Sequence, residues 1–120
     1  MIGYYRAEIA KLQKLNERLR NLKGNLSGSV LPNLNNVVTS LTNAENSLKE
    51  SYLVDGETAD GKSIEKNRTN VENCCSTITG SVIPSIDNQI SINNGKIANY
   101  EALIAAELAR IEAESKKGNK

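Results

Sequence analysis

Residues 5–52 read YRAEIAKLQKLNERLRNLKGNLSGSVLPNLNNVVTSLTNAENSLKESY, and the spacing of their apolar side chains decides the fold. Tyr5, Ile9, Leu12, Leu15, Leu19, Leu22, Leu26, Val30, Leu34, Val37, Leu41, Ala44, Leu48 and Tyr52 follow one another in steps of three or four. That is one face of an α-helix, sustained for ~13 turns. The second half behaves alike through Ile64, Val71, Cys75, Ile78, Val82, Ile86, Ile90, Ile97, Tyr100, Ile104, Leu108 and Ile111, with Arg68 and Asn93 in the gaps. Two long helices are expected.

The segment VDGETADGKS, residues 54–63, separates them and holds two Asp-Gly pairs. Glycine accepts turn conformations at no steric cost, and aspartate bonds its own local backbone. Gly56 is expected to end the first helix, and Thr58, Asp60 or Ser63 to cap the second. So short a link turns the chain back on itself. The expectation is an all-α fold, a long antiparallel two-helix hairpin of coiled-coil type. Its first arm covers about 3–54, its turn about 55–61 and its second arm about 62–114, with a disordered tail at 116–120.

Gly28-Ser29-Val30-Leu31-Pro32 recurs as Gly80-Ser81-Val82-Ile83-Pro84. A turn centred near residue 58 makes facing residue numbers total 116, which sets Pro32 beside Pro84, Leu12 against Ile104, Leu41 against Cys75 and Tyr5 against Ile111. Proline inside a helix removes one hydrogen bond and crowds the carbonyl four residues back, at ~3 kcal/mol or more. Here that residue is Gly28 or Gly80. Matched kinks at Pro32 and Pro84 are expected, with the apolar stripe in phase through both. A break at both sites, giving a four-helix bundle, is the competing architecture.

Composition bounds the chemistry. Hydrophobic residues make up 38% and charged residues 24%, with a net charge of +1 and no Phe, Trp or His. A thin seam needs no large rings, and a nucleic-acid binder carries a concentrated basic surface. Without histidine, Ser–His and Cys–His nucleophiles are excluded. No phosphate loop or calcium loop is present, and no cofactor or enzymatic activity is expected. Cys74 and Cys75 read as small apolar residues rather than metal ligands. The opening carries charges every few residues, so no secretory signal is expected, and no window suits a membrane span. Asn25-Leu26-Ser27 and Asn67-Arg68-Thr69 match the glycosylation sequon by chance.

What remains is surface. Leu31, Val38, Leu53, Val54, Ile83, Ile92 and Leu103 lie outside the stripe and widen it, which nominates them as a face for a partner helix.

Three segments carry a resemblance. They are YYRAEIAKLQKLNERLRNLK at the start, SYLVDGETADGKSIEKN in the middle and NNGKIANYEALIAAELARIEAE near the end. Together they are similar to the WXG superfamily of type VII secretion systems, and more narrowly to the small helical proteins associated with LXG toxins of Gram-positive bacteria. Val54 stands where that family has tryptophan, so only Gly56 of its turn motif carries over. Tyr4 and Glu8 match the spacing of an aromatic-x-x-x-acid export signal. The resemblance implies a targeting or chaperone adaptor that packs against the N-terminal helical domain of an LXG toxin. A second small helical protein, or further copies of the chain, are possible companions. It implies a cytoplasmic protein, with export by the signal-independent type VII route. A self-associating structural coiled coil, of a phage or cell surface, is the alternative reading. A third is a basic arm lying on an anionic membrane surface.

Overall fold

The computed structural model describes residues 1–52 and 59–118, and among them it holds no strand. Helix α1 spans Ile2–Asn25, α2 Leu31–Tyr52, α3 Ala59–Thr77 and α4 Ile83–Gly118. One turn of π-helix, Leu26–Val30, joins α1 to α2, and a second, Ile78–Val82, joins α3 to α4. The chain is an antiparallel helical hairpin, each arm running through its glycine and proline without a break. Gly56, Leu53, Val54 and Thr58 lie outside the described residues. α3 opens at Ala59, ahead of Asp60 and Ser63, and α4 continues to Gly118, through most of the expected tail.

The two π-turns answer the two prolines. The Leu31 N–H donates to the carbonyl of Leu26, and the Ile83 N–H to that of Ile78, each reaching five residues back instead of four. Proline brings no N–H, and its ring presses on the preceding turn. Inserting one residue just before the ring widens that turn and gives its carbonyls other donors.

This insertion moves the seam. Buried and half-buried positions in the first arm run Tyr5, Ile9, Leu12, Asn16, Leu19, Lys23, Leu26, then Leu31, Leu34, Val38, Leu41, Glu45 and Leu48. The steps alternate three and four except across the π-turn, where the step is five. The second arm repeats the pattern: Gly61, Ile64, Arg68, Val71, Cys75, Ile78, then Ile83, Ile86, Ile90, Asn93, Ile97, Tyr100, Ile104 and Glu107. These are the a and d positions of a heptad seam carrying one extra residue per arm. The expected in-phase stripe is therefore corrected. Val30, Val37 and Val82 are displaced to the surface, and Leu31, Val38 and Ile83 take the seam; Leu15 and Leu22, also expected there, are exposed beside the seam residues Asn16 and Lys23, and Leu108 and Ile111 are exposed near the end of α4.

The chain packs as two units, Met1–Asn21 with Ile86–Lys120, and Leu22–Ser85. In the first, Asn93 donates to Asn16 at 2.9 Å, so facing residue numbers total 109 (16 with 93). In the second, the Cys75 thiol approaches Asn35 Oδ1 at 3.7 Å, beside Leu34, which again gives 109 (34 with 75). The expected 116 is one heptad too high. Leu12 faces Ile97 rather than Ile104, Leu34 rather than Leu41 faces Cys75, and Tyr5 packs on Tyr100 rather than Ile111. Pro32 and Pro84 are offset by seven residues, ~10 Å along the axis.

Candidate functional site

A two-helix seam covers one stripe per helix and leaves both flanks open. Among the described apolar side chains only Ile86 is buried, at 6% exposure. Polar residues hold the seam as well. Asn16 and Asn93 are 2% and 3% exposed, and Asn16 also donates to Asn94 Oδ1 at 2.9 Å, while Gln89 donates to Asn93 Oδ1 at 2.9 Å. In the Leu22–Ser85 unit, buried Glu45 receives Arg68, whose Nε lies 3.3 Å from Glu45 Oε2 without an aligned hydrogen bond. Glu45 also pairs with Lys49 at 3.4 Å.

The flanks of that unit differ from each other. In an antiparallel pair the g positions of both arms share one side and the e positions the other. The e side carries Asn35, Thr42 and Lys49 from the first arm, and Glu65, Glu72 and Thr79 from the second. Thr42 donates to the Val38 carbonyl at 2.9 Å, and Glu72 accepts from Arg68 at 3.3 Å. The g side carries Leu22, Val30 and Val37, opposite Cys74 and Val82, all exposed. Its border is neutral, built from residues such as Asn25, Asn33, Ser40, Asn70, Thr77 and Ser85. Indeed 24–44 and 73–86 hold no charged residue at all. This apolar strip with an uncharged rim is the candidate docking face.

The expected partner residues divide. Leu31, Val38 and Ile83 are half-buried in the seam and are spent on the opposite arm. Ile92 and Leu103 are exposed, at 44% and 46%, in the unit formed by the chain's ends. Leu53 and Val54 lie outside the described residues. Sequence reasoning missed Val30, Val37 and Val82 as surface because it assigned them to the seam. Only the proline–glycine pairs could have signalled the extra residue.

In the unit formed by the ends, three rings cluster. Tyr4 packs edge-on against Tyr5 and Tyr100, at centroid distances of 5.8 and 6.4 Å, and Tyr5 lies 5.8 Å from Tyr100. Desolvation in this cluster, then the nearby Tyr4 and Glu8, push the Tyr100 hydroxyl above its ordinary value. Tyr4 and Glu8 stand one helical turn apart; Tyr4 is 56% exposed, while Glu8 accepts from Lys11 at 3.1 Å. No helix among the described residues is long and apolar enough to cross a membrane, and no three metal-binding side chains converge. Comparison with known proteins adds no relative: no family model matches the chain, and no curated protein or solved structure matches it significantly.

Proposed function

We propose that this protein is a non-catalytic adaptor that receives a helix of another protein along the strip Leu22, Val30, Val37, Cys74 and Val82. The observation that carries the reading is the contrast between the two flanks. At the level of the strip one flank carries the polar side chains Asn35, Thr42 and Thr79, and the other is apolar with an uncharged rim; the charged Lys49, Glu65 and Glu72 of the polar flank lie at the end of the strip or beyond it. A heptad hairpin with one bare flank matches a third helix of the same periodicity, which would complete a three-helix coil and bury the strip. The finer reading rests on the resemblance alone: the incoming helix belongs to the N-terminal domain of an LXG-type toxin carried to a type VII secretion machine.

Co-expression of the chain with such a domain from the same genome is the test. A stable complex is expected, lost on Val30→Asp or Val37→Asp while the free chain keeps its helix content. Absence of a complex, or a complex indifferent to both substitutions, overturns the proposal.

A further inference from the structure

A second surface, in the Met1–Asn21/Ile86–Lys120 unit, has a different chemistry. Here too the flanks differ. The e side carries Arg6 and Arg20 from the first arm, balanced by Asp87 and Glu101 from the second. On the g side Glu8 and Leu15 stand opposite Lys96 and Leu103, with Lys11 and Arg18 in the row outside one arm and Ile92 outside the other. Lys11, Lys14, Leu15 and Arg18 line a groove of about 290 Å³, and Lys96, Asn99, Tyr100 and Leu103 line another of about 310 Å³. Leu15, Ile92 and Leu103 are each close to half exposed. Glu8 is held by Lys11, whereas Lys14, Arg18 and Lys96 make no ion pair among the described residues.

Whatever covers this flank has to bring negative charge to Lys14, Arg18 and Lys96, and an apolar phase to the side chains between them. It also has to span both arms. A single helix docked along the hairpin follows the g rows and leaves Lys14, Arg18 and Ile92 outside its contact. An acidic lipid surface reaches all the rows together: headgroup phosphates meet the cations, and the acyl boundary just beneath receives the apolar side chains. Lysine and arginine suit that boundary, because their aliphatic stems lie along the apolar layer while the charged heads stay among the phosphates.

We propose that the g-side flank of this unit is a docking surface for a membrane rich in anionic phospholipid. Its two helices lie in the plane of the interface, with Leu15, Ile92 and Leu103 entering the headgroup layer and Lys14, Arg18 and Lys96 on phosphates. This needs no membrane-crossing helix, and none of the described helices is apolar enough to be one. The neutral strip proposed for a foreign helix takes no part, and failure of either surface leaves the other standing.

Co-sedimentation of the full chain with sucrose-loaded vesicles tests this. Vesicles of phosphatidylcholine with about a third phosphatidylglycerol should bind it ~tenfold or more tighter than phosphatidylcholine alone. Raising the salt from low to high ionic strength should weaken that binding ~tenfold, because the charges are screened. Lys14→Glu with Arg18→Glu should abolish binding at unchanged helix content. Arg6→Glu with Arg20→Glu makes the same change in net charge on the e side and should keep most of the binding. Leu15→Ser with Leu103→Ser should weaken binding several-fold and leave its salt dependence in place. A parent chain that ignores anionic vesicles at low salt overturns the proposal. So do equal losses from the two charge reversals, which would mean attraction by net charge alone, or a serine pair that binds like the parent. A chain indifferent to vesicles, whose complex with an acidic protein is lost on the Lys14 and Arg18 reversal, overturns it as well and assigns the flank to a protein.

Discussion

Replacing Asn93 by alanine removes the donor to Asn16 Oδ1 and the acceptor for Gln89, both at 2.9 Å. Asn16 is 2% exposed, so water cannot easily replace the lost partner. Stranding one buried polar group costs ~1–3 kcal/mol, and alanine adds almost no apolar burial in return. For a domain of this size that corresponds to a fall in melting temperature of ~4–12 °C. The double change Asn16→Leu/Asn93→Leu leaves nothing stranded and adds two buried leucines, each yielding ~1.5–3 kcal/mol, so it should stabilise the fold. It should also loosen the register. With both asparagines present, total 109 pairs them, whereas total 116 sets Asn16 against Tyr100. With leucine at both sites that penalty disappears. The readout is disulfide formation in a Cys74→Ser/Cys75→Ala background, from Leu12→Cys paired with either Ile97→Cys or Ile104→Cys. Those second positions differ by ~10 Å along the axis, more than a disulfide tolerates. The parent seam should join 12 to 97 alone, and the double-leucine seam should also join 12 to 104. If the asparagine-containing chain joins both pairs equally, or if Asn93→Ala melts with the parent, the polar pair does not set the register.

Other expectations follow from single features. Ile86→Ala should cost ~2–5 kcal/mol, read by chemical denaturation, since Ile86 is the most buried apolar side chain described. Gly28→Ala and Gly80→Ala should each stabilise by ~0.5–1 kcal/mol in thermal melts, because a Cβ at either site meets nothing within 4 Å. Loss of stability at either site would show that the π-turn needs the glycine. The Glu107 carboxylate is held below its ordinary range, chiefly by its hydrogen bond from Arg110. A depressed folded-state value means that the contact supports α4 at neutral pH and is lost as acid takes the pH down through that value. Carboxyl NMR titration should show Arg110→Gln moving Glu107 upward. An unmoved titration would exclude the contact in solution.

The sequence carried the class of fold because thirteen turns of three-and-four spacing admit little besides a long helix, and because two Asp-Gly pairs occupy the long gap in the apolar spacing between Tyr52 and Ile64. It did not carry the register. Totals of 109 and 116 both set aliphatic residues against aliphatic residues, since a heptad seam repeats after seven. What separates them is the pairing of Asn16 with Asn93, and in the sequence Asn16 was overshadowed by Leu15 beside it. The docking strip was hidden for a related reason. Around each proline the chain offers two candidate stripes, Val30 and Val37 or Leu31 and Val38 in the first arm and Val82 or Ile83 in the second, and apolar spacing scores them alike.

The choice between those stripes is made by backbone chemistry rather than by hydrophobicity. An unbroken α-helix would bury Val30 and Val37, but it would also drive the Pro32 ring onto the turn at Gly28, at ~3 kcal/mol or more. The π-turn removes that conflict, hands the seam to Leu31 and Val38, and leaves two valines outside as grease. The second arm makes the same exchange at Val82 and Ile83, and both arms insert one residue, so total 109 is kept on either side of the π-turns of the Leu22–Ser85 unit. Deleting Val30 turns the step from Leu26 to Leu31 into an ordinary four, so a chain lacking Val30 and carrying Pro32→Ala should keep its seam and melt no lower than the parent. Deleting Asn36, six residues on, leaves the π-turn in place and rotates every later seam position of that arm by one residue, and that chain should lose most of its helical signal. Equal damage from the two deletions would mean that the extra residue is not what sets the face.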